Sequence, residues 1–253
     1  VVAGVIALGS SLYVAQTLDG KLPERDAIAE AKLDVADGRS ALVAGGTWTI
    51  LNRIKTSCYA TFAYGYFQSS VVLFLPLYLV EQKGILREQT ILVTAFFAAG
   101  MLLFSNIGGR FGDRHGHLGV MRGLATIGVV TILAFVFLDS FKAMALAVFI
   151  AGATLATISP LSLALQGVVT NHAQYARANS IYNAFYAAGM FLGPPISSVL
   201  FVRYGGAVML YHLAALWGGF VVFSSFFFRD DPAVRRRRVA QASSQAQEPA
   251  TQA

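Results

Sequence analysis

Residues 108–122 read GGRFGDRHGHLGVMR. Arg110, Asp113, Arg114 and Arg122, with His115 and His117, stand there between two long apolar runs. The chain of 253 residues is 56% hydrophobic and only 13% charged, against about 25% charged in ordinary soluble domains. Crossing a bilayer takes about 20 mostly apolar residues in a helix, and several charge-free runs reach that length. A short charged, glycine-punctuated stretch between two such runs reads as a turn between membrane spans. The fold class is therefore all-α, a polytopic membrane helix bundle.

Working outward, six complete spans are expected near Ser57–Val80, Gln89–Ile107, Leu118–Leu138, Phe141–Val168, Asn179–Val202 and Val208–Phe228. Ahead of them, VVAGVIALGSSLYVAQ (residues 1–16) has membrane character without a basic leader or a clear cleavage site, so it reads as the end of a further helix in a longer protein. The expected organisation is residues 1–17 as that helix end, 18–55 as a polar connector, 56–228 as the six-helix bundle and 229–253 as a disordered tail. Pro23 and the acids behind it suit the start of a short surface helix in the connector. With Cys58 alone, no disulfide forms within the chain.

Lysine and arginine fall unevenly on the two sides. Only Lys83, Arg87, Lys142 and Arg203 lie on one side, and all the others lie on the other, including the tail arginines 235–238. Positive segments stay in the cytoplasm, which puts the connector, the 109–116 turn and the C-terminus there, in a cell (inner) membrane. The same bias explains the net charge of +6 without nucleic acid. The arginine cluster can rest on anionic lipid at about 1 kcal/mol per side chain.

Gly109, Asp113, Arg114 and Gly116 give the pattern G-x-x-x-D-R-x-G between the second and third spans. This closely resembles the signature loop of the major facilitator superfamily of secondary transporters, which occurs in each six-helix half between that half's second and third helices. RANSIYNAFYAAGMFLGPP (residues 177–195) resembles a fifth helix of such a half, with Gly189, Gly193 and Pro194 in the familiar places. The resemblance implies the C-terminal half of a twelve-helix carrier whose N-terminal half is its missing partner. His117 and Leu118 depart from the basic residues that usually follow the second glycine. The physical expectation for the turn is that Gly109 and Gly116 permit sharp turning and close approach, and that Asp113 faces a helix N-terminus. By resemblance, Asp113 engages a helix of the other half, and Arg177 meets the other half's loop.

Polar side chains inside spans recur with helical spacing: Tyr64 with Gln68, Ser159 with Ser162 and Gln166 beside Pro160, and Asn179, Tyr182, Asn183 and Tyr186. The resemblance makes the first and fourth helices cavity-lining. Tyr64, Gln68, Ser159, Ser162 and Gln166, with Asn183 and Tyr186 on the fifth span, are thus the candidates for contact with a small-molecule substrate. Each is either cavity lining or glue between helices, where such hydrogen bonds contribute roughly 0.6 kcal/mol. No acid lies within a span; Glu81, Glu88 and Asp139 sit at ends. Coupling groups then belong to another half, or transport is facilitated.

No cofactor pattern occurs: GxGxxG and P-loop sequences are absent, and His115-x-His117 lacks the further ligands of a metal site. No nucleophile with a base appears at membrane depth, so an enzyme is not expected. The function expected is alternating-access transport of a small solute, with efflux as one direction. The alternative is a non-transporting interaction or sensory bundle.

Overall fold

The structure is a computed structural model that describes residues 46–171 and 174–227. The expected helix end at 1–17, residues 18–45 of the expected 18–55 connector, and the tail lie outside the described residues. Every described element is helical: α1 (Thr47–Glu81), α2 (Arg87–His115), α3 (His117–Val136), α4 (Phe141–Val169), α5 (Tyr175–Tyr204) and α6 (Gly206–Phe226). All six are long and apolar enough to cross a membrane. The six expected spans are present, with two boundaries displaced. α1 begins at Thr47, ahead of Ser57, and α2 runs through His115 rather than stopping at Ile107. Both extensions carry charges, because a helix continues past the hydrocarbon into the wetted interface while hydropathy reports only the apolar part.

α1 and α4 are the most buried helices of the bundle, and α2 and α5 the least. The core gathers Phe67 and Leu79 from α1, Met121 from α3, Leu155 from α4, and Trp217 and Phe220 from α6. Trp217 meets Phe67 and Phe220 edge-on, with ring centroids 6.2 and 6.0 Å apart. Outward faces stay greasy: Leu103, Val130, Phe191 and Val202 are all exposed, as suits a surface solvated by lipid tails.

Lipid is as apolar as leucine, so helices in a bilayer associate through close packing and hydrogen bonds. The α1–α5 seam is built that way. A Cβ placed on Gly189 would lie 2.2 Å from the Phe62 carbonyl oxygen, and one on Gly193 would lie 2.6 Å from that of Tyr66. Across this seam the Ser197 hydroxyl donates to Ser70 Oγ at 2.8 Å, and both serines are fully buried.

α4 contains one irregularity that matters for the cavity. Residues Gly152–Ala156 form a π-helical turn just before Pro160. Proline lacks an N–H and crowds the carbonyl four residues back, here that of Ala156, so a widened turn relieves the conflict. Thr154 and Thr157 turn their hydroxyls onto the Ile150 and Ala153 carbonyls, both at 2.7 Å.

Candidate functional site

α1, α2, α4 and α5 surround an open cavity of about 600 Å³. Thr61 and Tyr64 come from α1, Met101, Leu102, Ser105 and Asn106 from α2, Ala156, Ser159, Pro160 and Leu163 from α4, and Tyr182, Asn183 and Tyr186 from α5. None of these is charged. The site offers hydroxyls, two amides and three phenols over an aliphatic base, a surface for hydrogen bonding and stacking rather than ion pairing.

Tyr64 and Tyr186 stack with centroids 6.1 Å apart at 20°, forming one aromatic wall. Tyr64 Oη reaches Met101 Sδ at 3.9 Å. Behind that wall Tyr186 donates to Gln68 Oε1 at 3.0 Å, so Gln68 fixes a cavity residue without lining the cavity itself. Tyr182 Oη and Ser162 Oγ are 2.8 Å apart, and both hydroxyls reach the Ser159 carbonyl, at 3.2 and 2.8 Å. Asn183 donates Nδ2–H to the Asn179 carbonyl at 3.0 Å, which leaves its Oδ1 for other partners.

The structure thus brings Tyr64, Ser159, Asn183 and Tyr186 to one cavity and leaves Ser162 and Gln166 outside it. Both of the latter are fully buried. Ser162 instead faces α5, where it meets Tyr182, and Gln166 lies about two helical turns, roughly 10 Å, further along α4 than Ser159. Gln166 is unusual, because neither its Oε1 nor its Nε2 has a hydrogen-bond partner among the described residues. The Thr61 hydroxyl at the cavity is likewise buried without one. Sequence reasoning passed over Met101, Ser105 and Asn106 on α2, although adjacent Ser105 and Asn106 in an apolar helix were a visible signal.

At the end of the bundle where α1 starts, the charged stretch is mostly helix. Residues 108–115 are the last turns of α2, and Gly116 alone joins α2 to α3. Its φ of 99° lies where residues with a Cβ are strained, and its N–H closes on the Gly112 carbonyl at 2.9 Å. The close approach expected of Gly109 belongs to its neighbours. A Cβ on Gly108 would meet Thr157 Cγ2 at 2.2 Å, and one on Gly112 would meet Leu161 Cδ2 at 2.4 Å, whereas Gly109 faces open space. Gly108 and Gly112 are one helical turn apart and seat α2 on α4.

Asp113 Oδ1 stands 3.2 Å from His117 Nε2. The histidine that departs from the usual pattern therefore supplies, when protonated, a cation for Asp113 inside the chain, while the Asp113 side chain stays 72% exposed. His115 stacks on Phe111 with centroids 4.1 Å apart, so the two imidazoles have different partners. Arg114 is exposed at the same end. Arg177 Nη2 donates to Thr47 Oγ1, which ties the first turn of α5 to that of α1.

Comparison with known proteins places this geometry. No curated protein sequence matches the chain. Among solved structures, the in meso crystal structure of the POT family transporter PepTSo superposes with a TM-score of 0.64 at 19% identity, over 71% of this chain and 38% of that one. That likeness concerns the fold, and the chain spans well under half of that protein. The profile of the family described as Major Facilitator Superfamily matches residues 58–251. With six helices among the described residues long and apolar enough to cross a membrane, and the G-x-x-x-D-R-x-G stretch at the α2–α3 junction, the chain belongs to the major facilitator superfamily.

Proposed function

We propose that this chain forms one half of a secondary transporter that carries a small solute by alternating access, in a cell membrane with the α2–α3 turn on the cytoplasmic side. The observation that carries the reading is the uncharged cavity of about 600 Å³ between α1, α2, α4 and α5. It lies open on the bundle, and the two least buried helices, α2 and α5, are among its walls. A second six-helix half related by pseudo-twofold symmetry would cover those helices and close the cavity at the midplane. Stacked tyrosines, hydroxyls and amides suit a solute with uncharged polar groups and a flat apolar surface.

The α2–α3 turn supplies the gate. Asp113 is held by His117 and remains exposed, so it can exchange that partner for a helix N-terminus of the second half. Exchange of one polar contact for another costs little, as a gate that opens and closes requires. Among the described residues the carboxylates Glu81, Glu88, Asp113 and Asp139 all lie at or near helix ends. A driven carrier would then draw its coupling group at membrane depth from the second half.

Proteoliposome flux with and without the second half tests the reading. Flux is expected only when both halves are present. Flux from this chain alone, or none from the pair, would overturn it.

A further inference from the structure

Given the transport reading, on which this rests, we propose that Ser57, Thr61 and Gln166 line the cytoplasmic mouth of the solute route, which this conformation holds shut. Ser57 Oγ, Thr61 Oγ1, Gln166 Oε1 and Gln166 Nε2 are buried with no hydrogen-bond partner among the described residues. The three side chains belong to residues no more than 1% exposed. Two further atoms share that condition, Thr170 Oγ1 at the C-cap of α4 and Trp217 Nε1 in the core.

Apart from Trp217, these groups fall on two stripes. Thr61 and Tyr64 border the solute cavity from α1, and Ser57 lies four and seven residues before them, on the same face to within about 60°. Ser159 borders the cavity from α4. Gln166 follows it by seven residues, about 20° short of two full turns, and Thr170 comes about one turn later. α1 begins and α4 ends at the end of the bundle that carries the α2–α3 turn. Ser57 and Gln166 therefore both lie roughly 10 Å from the cavity residues Tyr64 and Ser159 toward that end. About one turn further on, Ile50 and Ile54 of α1 and Ala178 of α5 form a buried cluster with Val169 of α4 packed against it. This is an apolar seal below the polar stripes.

Ordinary helix packing does not account for them. A serine or threonine hydroxyl in a helix can donate to the carbonyl four residues back, and Thr94, Thr126, Thr131 and Thr157 do so at 2.7–3.1 Å. Ser57 and Thr61 have the same recourse and do not take it. Polar groups held from water without partners are costly. That cost is offset in a second conformation, in which α1 and α4 part and water reaches both stripes. A solute with uncharged polar groups then leaves the cavity past hydroxyls and an amide.

Thiol labelling tests the mouth. The chain carrying Cys58→Ala and Ser57→Cys, together with its second half, is exposed in inside-out vesicles to a membrane-impermeant methanethiosulfonate, so that the labelling rate follows the wetted fraction. Gln166→Met removes the amide that favours the wetted conformation. It is expected to slow labelling about fivefold or more, which is about 1 kcal/mol or more at 1.4 kcal/mol per tenfold. Gln166→Glu places a carboxylate there that needs water, and labelling is expected to quicken by a similar factor. Ala125→Cys, fully buried in α3, should not react. Four results overturn the proposal: no labelling of Ser57→Cys, a rate indifferent to residue 166, faster labelling with both methionine and glutamate, or equal labelling of Ala125→Cys. The last two mean that the bundle has merely loosened. Flux through the paired halves without labelling refutes the mouth alone, whereas labelling without flux refutes the transport reading.

Discussion

Replacing Gly189 by alanine tests the packing that holds the cavity together. The added methyl would lie 2.2 Å from the Phe62 carbonyl oxygen and 2.9 Å from the Tyr66 nitrogen, where favourable carbon contacts need about 3.5–4.0 Å. Both obstacles are backbone, so no rotamer change relieves them and α1 must move away from α5 by about 1 Å. Overpacking of this kind costs about 1–3 kcal/mol. The same movement stretches two hydrogen bonds across the seam, Ser197 to Ser70 and Tyr186 to Gln68, at roughly 0.6 kcal/mol each. A loss of about 2–4 kcal/mol is expected from these two terms. Gly123→Ala in α3 is the control, because its Cβ meets nothing within 4 Å and alanine there should add about 0.5–1 kcal/mol of helix preference. Unfolding of both variants in mixed micelles, titrated with sodium dodecyl sulfate and followed by far-ultraviolet circular dichroism, measures the difference. Equal stability of Gly189→Ala and Gly123→Ala would refute the backbone-to-backbone seam.

Gln166→Met should stabilise the bundle by about 1–3 kcal/mol in the same unfolding titration, since it removes a fully buried amide with no hydrogen-bond partner among the described residues; a loss of similar size would mean that the amide is satisfied. Gly116→Ala places a Cβ at a φ of 99° and should cost about 1–2 kcal/mol, while Gly109→Ala, helical and facing open space, should gain about 0.5–1 kcal/mol as Gly123→Ala does.

The helices were readable because length and hydropathy are local properties, and a charge-free run of span length has few other uses. Their ends were less so. Arg53 and Lys55 look like connector residues, yet they sit on the first turns of α1, since an interface tolerates charge on a helix that the hydrocarbon would not. Gly108–His115 looks like a loop for the same reason, and only Gly116 proves to be the turn. At the cavity, helical spacing placed Tyr64, Ser159, Asn183 and Tyr186 usefully. It could not separate Ser159 from Ser162, because which flank of a helix opens depends on neighbours that spacing does not see. Met101 and Asn106 were missed because the resemblance drew attention to the first and fourth helices. The His117–Asp113 pair needed coordinates as well; in sequence His117 was only a departure from the familiar pattern.

The claim that α2 and α5 border a watered solute path is tested most directly by cysteine accessibility in membranes that also contain the second half. With Cys58 replaced by alanine, single cysteines at Asn106→Cys, Asn183→Cys and Val130→Cys are exposed to a membrane-impermeant methanethiosulfonate. Asn106 and Asn183 line the cavity, while Val130 lies on the exposed apolar face of α3. Labelling of the two cavity positions is expected, with Val130→Cys unreactive. Cavity positions as unreactive as Val130→Cys would contradict a solute path between the two halves.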